Sequence, residues 1–226
     1  MAPKMDVYFE KGSKKVFAAA LDWPGWSRSG RDEASALQAL LDYGGRYAAA
    51  IRSARLGFEP PQDLAAFRAA QRLKGDTTTD FGSPGRIPAA DMAPVGEAAL
   101  RRLEACLRAC WSAFDRSAAA AQGRALRRGP RGGGRDRDEI VEHILGAEHA
   151  YGRRLGVDLV TPEPGNLDDF RSGVLQALAA SAHGELPRQG PRGGRRWPAR
   201  YFVRRSAWHL LDHAWEIEDR LEPARG

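Results

Sequence analysis

The sequence has no apolar run approaching the roughly 20 residues that a membrane-spanning helix needs. Its opening residues, Met1 to Asp6, lack the apolar core of a secretory leader, so a cytoplasmic protein is the expectation. Cysteine is scarce: two residues, Cys106 and Cys110, are too few for a disulfide framework. Four apart in a helical stretch, they share a face and read as small reduced core residues. The glycine-rich stretches lack the Gly-Lys-Ser/Thr ending of a phosphate-binding loop. Asp80-Phe81-Gly82 matches a kinase triplet, but no glycine-rich nucleotide loop or His-Arg-Asp accompanies it, which excludes that chemistry.

What is present is an ordinary globular composition, 42% hydrophobic over 226 residues, enough to bury one large core or two small ones. The net charge of +6 comes from 35 Lys and Arg against 29 Asp and Glu, and most of the cations are Arg. The excess concentrates in two glycine-containing loops, Arg124 to Arg137 and Arg188 to Arg200. Clustered arginine can neutralise phosphates. Here Asp and Glu are mixed through the flanking helices, which favours solvated connections over a nucleic-acid surface.

The first 55 residues read as a small α/β unit. Val7 to Phe9 and Val16 to Leu21 are short apolar runs separated by Lys11-Gly12-Ser13-Lys14, a hairpin signal. The turn-rich Asp22 to Gly30 leaves room for a third strand near Trp26. Asp32 then offers an N-cap for a helix to about Ser53, weakened in the middle by Gly44-Gly45. Phe67 to Leu73 is a closing strand or a helical turn. The run Ala20-Leu21-Asp22-Trp23-Pro24-Gly25-Trp26, then Gly30-Arg31-Asp32-Glu33-Ala34 and the helix, resembles the HicB-type antitoxin fold over about 45 residues. That resemblance implies a sheet with one helix, and the same unit serves as a structural add-on, so antitoxin activity does not follow.

From Val95 onward the pattern is helical, with segments at about 95–122, 136–155, 167–183 and 198–222, which suggests a four-helix bundle. The fold class expected is therefore α+β, with residues 1–94 as sheet unit and linker and 95–226 as bundle. On the last helix, Val203, Leu210, Ala214, Ile217 and Leu221 define an apolar arc. His209 and His213 lie one turn apart on its flank, followed by Glu216 and Arg220, and such a pair can offer a metal two nitrogens from one rigid element. On the second helix, Ile140, Ile144, Ala147, Tyr151 and Leu155 form the buried stripe, and His143 flanks it. His149 is expected to face water, and His183 to cap the third helix. The three candidate ligands reach a common height if the proline-rich connection at 157–165 is a crossover.

His143, followed by Trp208-His209-Leu210-Leu211-Asp212-His213 and its helix, resembles the DinB-like superfamily over roughly residues 95–222. The resemblance implies an up-down-down-up bundle with a metal held by His143, His209 and His213. It also implies an enzyme that transfers or isomerises with a low-molecular-weight thiol, such as mycothiol, bacillithiol or glutathione. Three imidazoles leave a divalent ion, zinc or nickel, with room for water or a small-molecule substrate, and such a site can activate either. Glu216 is the candidate general base or support for His213, and Arg205 the candidate partner of a substrate carboxylate. The rival reading is a non-catalytic stress-response or regulatory module with a structural metal. Trp208, Asp212, Trp215 and Asp219 form a stripe opposite the apolar arc. Two tryptophans do not normally face bulk water, so this face is expected to dock on the N-terminal unit or on a second subunit as a homodimer.

Overall fold

The computed structural model describes residues 4–128, 134–156, 158–163, 167–187, 189–190 and 194–222. Parts of both arginine-rich loops and of the proline-rich connection lie outside these residues. Among the described residues the architecture is α+β: a four-stranded mixed sheet and seven α-helices.

Strand β1 (Met5–Lys11) pairs antiparallel with β2 (Val16–Ala20), and β2 pairs antiparallel with β3 (Ser27–Gly30). Asp32 caps α1 (Glu33–Asp42) by accepting from the Ser35 amide. The expected single helix is in fact two, because the chain breaks at Tyr43 and restarts as α2 (Gly44–Ile51). Two adjacent glycines weaken the helix there, and Gly44 packs closely against Pro60. Phe67–Lys74 is a strand, β4, running parallel to β1 and completing the order β3-β2-β1-β4. A short helix, α3 (Thr77–Phe81), follows it.

The alternation of the strands gives the sheet two buried faces. Val7, Phe9, Val16, Ala18 and Ala20 join Trp26, Leu40 and Tyr47 in the main core. Tyr8 and Phe17, also buried, point the other way, toward the C-terminal helices. Those helices are α4 (Glu97–Ala120), α5 (Arg137–Leu155), α6 (Leu167–Ala182) and α7 (Ala199–Arg220). Their bounds lie within two residues of the periodicity-based expectation.

Helix α7 is the centrepiece. Its Arg204 donates to both oxygens of Asp91 at 2.7 and 2.8 Å and to the carbonyls of Ala20 and Leu21. Trp208 meets Phe17 edge-on at 6.2 Å, and Trp215 meets Tyr43 at 5.1 Å. Asp212 pairs with Arg28, and Asp219 with Arg46. The tryptophan stripe is thus covered by the N-terminal sheet unit. No helix among the described residues is long and apolar enough to cross a membrane.

Candidate metal centre

Two helices bring the histidines together. α5 begins with a capping box between Asp136 and Glu139 and ends at Gly156, whose φ of 118° suits glycine. α7 starts just after Pro198, and the Trp197 amide donates to the Arg154 carbonyl, fastening its start to the end of α5. At the other end, Arg220 of α7 donates to the carbonyl of Arg135, just before α5. The two helices therefore run in opposite directions and are pinned at both ends.

Between these pins, His143 faces His209 and His213. The ring centroids are 5.0, 5.0 and 4.8 Å apart, and one nitrogen from each ring lies within 4.8 Å of the others. The Nε2 atoms of His143 and His209 approach to 3.1 Å. Zinc–imidazole bonds of about 2.0–2.1 Å in tetrahedral geometry set neighbouring nitrogens roughly 3.3 Å apart, so only small side-chain rotations separate this cluster from a ligand set.

The far sides of two rings are already engaged. His213 Nδ1 lies 2.7 Å from Glu216 Oε2, and Arg220 holds the other Glu216 oxygen at 2.5 Å. His209 Nδ1 lies 3.5 Å from the Tyr151 hydroxyl. A carboxylate behind a histidine fixes its tautomer and aims the opposite nitrogen forward, the usual support for a metal ligand. His209 is only 8% exposed. Burial, with the neighbouring His213, Arg205 and His143, pushes its pKa down to about 2. Burial also lowers that of His143, helped by Arg135 and His213. Neutral rings with free lone pairs are the form that binds metal. Glu216 is held below the ordinary carboxylate range, first by its hydrogen bond to His213.

His143 also lines a surface groove of about 500 Å³ with Arg135, Glu139, Glu142, Gly146 and Ala147. Nothing lies within 4 Å of where a Gly146 Cβ would stand, so α5 is open to the groove one turn after His143.

No family model matches the chain, and no curated protein or solved structure matches it either. The site must be read from its own chemistry.

The structure gathers His143, His209, His213 and Glu216. Arg205 stands one turn before His209, over the rings of Trp208 and Tyr151. Two of its nitrogens already donate to Pro84 O and Ser83 Oγ, both at 2.5 Å. His149, expected in water, is half-buried with Nε2 3.0 Å from the Leu159 carbonyl, because the connection after α5 folds back over it. His183 meets Glu97 at the start of α4.

Sequence reasoning missed two residues. Tyr151 counted as a core side chain, although its hydroxyl reaches the site. Glu148 carries no signal in the sequence, because an acid fits no apolar stripe. It is 5% exposed, takes the Trp111 indole N–H on one oxygen, and has its other oxygen buried without a partner.

Proposed function

We propose that the chain is a divalent-metal-binding protein of the DinB-like kind, with zinc or nickel held by His143, His209 and His213. The observation that carries this is the convergence of three imidazoles from two helices, backed by the Glu216 carboxylate. An up-down-down-up bundle is the matching topology. It is supported by Arg137 of α5 donating to Ala118 late in α4, and by His183 after α6 meeting Glu97 early in α4. Arg200 and Arg204 of α7, lining one cavity with Ala99 and Arg102 of α4, support it too. The N-terminal sheet and α1 are read as an HicB-like unit serving as a structural add-on.

The reaction class proposed is transfer to, or isomerisation with, a low-molecular-weight thiol. A bound divalent ion supplies Lewis acidity and lowers the pKa of what it binds. The chain's own groups do the rest. Glu216 keeps the Nδ1 proton of His213 in place, and Arg220 holds Glu216 in turn. Tyr151 and Trp208 wall His209 away from bulk water. The groove beside His143 admits a small substrate, and Arg205 and Arg135 contribute positive charge for an anionic group.

Elemental analysis of the purified protein tests the metal. About one equivalent of zinc or nickel is expected, absent from His143→Ala and from His209→Ala. Metal-loaded protein is then offered a thiol panel with monochlorobimane, and His209→Ala should abolish turnover. Metal retained by both variants would overturn the site. Metal bound without turnover would overturn the enzymatic reading and leave a structural ion.

A further inference from the structure

On the opposite side of α7 from the histidines, a second cavity of about 320 Å³ lies where five segments meet, one of them the stretch at Leu56. The turn after β2 supplies Leu21, Trp23 and Pro24, and α4 supplies Leu103. The Ala90–Ala93 turn and the start of α7 close it. Its volume falls at the small end of ligand pockets, room for one ring or a short aliphatic body.

Its walls are apolar, but its charged groups are not balanced. Asp91 is fully engaged by Arg204, whose other nitrogens hold the Ala20 and Leu21 carbonyls. Two more guanidiniums line the same space, those of Arg102 and Arg200. Among the described residues neither has a carboxylate within ion-pair distance. Arg102 lies 4.2 Å from the centre of the Trp23 ring and makes only long bonds, 3.3 Å to Leu56 O and 3.4 Å to Asp22 O. Arg200 donates to Pro94 O, and its Nε is buried with no partner at all. A guanidinium carries five N–H donors, and Arg200 Nη1 makes no bond among the described residues, which leaves it for an acceptor in the cavity. The exposed Asp22 at the rim is the one unpaired acid, leaving the lining net positive.

From the apolar walls and the two unmatched guanidiniums, we infer a binding site for a small monocarboxylic acid with an aryl or short alkyl body. The carboxylate meets Arg102 and Arg200, and the body lies against Trp23, Pro24 and Leu103. Arginine suits this role because its planar fork matches a carboxylate.

Titration calorimetry with phenylacetate, and with its neutral isostere phenylacetamide, tests the site in the full-length protein. Saturable binding of the acid is expected, with the amide about tenfold weaker or worse. Arg102→Gln and Arg200→Gln should each weaken the acid by about tenfold, leaving the amide unchanged. Ala99→Leu, which fills the cavity from α4, should abolish binding while the protein still melts cooperatively. Binding lost in His209→Ala but kept in the arginine variants would place the acid on the histidine cluster and overturn the proposal. Equal affinity for acid and amide, or no heat up to about 10 mM, would overturn it as well.

Discussion

Replacing Glu148 with glutamine should raise stability, and only at neutral and alkaline pH. Glu148 sits on α5 between Trp111 of α4 and the Arg171–Asp115 pair. Burial raises its pKa from 4.5 to about 7, against the opposing pull of the Trp111 hydrogen bond and Arg171. Below the unfolded-state value both folded and unfolded chains carry the proton, and the residue costs nothing. Between the two values the unfolded chain ionises while the folded chain keeps its proton, so stability falls as pH rises. The loss is complete once pH passes the folded value and amounts to about 3 kcal/mol. Glutamine keeps the oxygen that accepts from Trp111 and never ionises. The variant should therefore match the parent to within about 1 kcal/mol near pH 5 and exceed it by about 3 kcal/mol near pH 8.5. For a chain of this length that gap is roughly 6–12 °C in Tm, readable by calorimetry at a series of pH values. The buried histidines contribute equally to both proteins and cancel. A gap independent of pH, or one that widens toward acid, would refute the burial argument.

Other outcomes follow from the same geometry. Glu216→Gln should weaken metal affinity by about 10–100-fold without removing a ligand, measured by competition with a chelating dye. Unchanged affinity would mean that Glu216 does not orient His213. Because the pKa of His209 is driven to about 2, well below its ordinary 6.5, protons compete poorly there. Half-release of metal is expected below pH 6.5, and release above it would contradict a neutral buried ring. The metal-free protein should also lose stability as pH falls through 6.5, where the unfolded chain's imidazole takes a proton that the folded one refuses. Asp91→Ala strands the buried Arg204 charge and should cost about 3–5 kcal/mol in denaturant unfolding. A loss under about 1 kcal/mol would show that the two carbonyls suffice for Arg204.

The periodicity of the C-terminal half places its helices to within two residues, because each is amphipathic, and Asp136 and Pro198 mark the starts of α5 and α7. The wheel also placed His143, His209 and His213 on flanks that meet. What it could not give was distance, since a one-turn slide of α5 against α7 leaves every wheel unchanged while separating the rings by about 5 Å. The Trp197–Arg154 and Arg220–Arg135 bonds that fix the register involve backbone groups with no signature in residue type. Glu148 was hidden for a related reason. It occupies a position in the Ile140, Ile144, Leu155 stripe that apolar patterning assigns to Ala147. Phe67–Lys74 was ambiguous because, as an edge strand with a largely exposed surface, it shows no clean alternation.

The position of α7 sets one more expectation, for a fragment covering only residues 95–226. In the whole chain Trp208 and Trp215 are 5% and 4% exposed, and the residues that cover them, Phe17 and Tyr43, belong to the N-terminal unit. A buried tryptophan removes about 150–250 Å² from water. If the sheet unit accounts for half of that at each ring, deleting it exposes some 150–250 Å² of aromatic surface, a loss of about 4–6 kcal/mol. Arg204 would lose Asp91 together with the Ala20 and Leu21 carbonyls, and Asp212 and Asp219 would lose their arginines. Those losses rival the roughly 5–15 kcal/mol that holds a domain together. The fragment should keep helical far-ultraviolet dichroism but lose the near-ultraviolet signal and the cooperative melt, and it should bind metal weakly. A fragment that melts sharply and binds the ion as the full chain does would show that the histidines owe their placement to α5 and α7 alone.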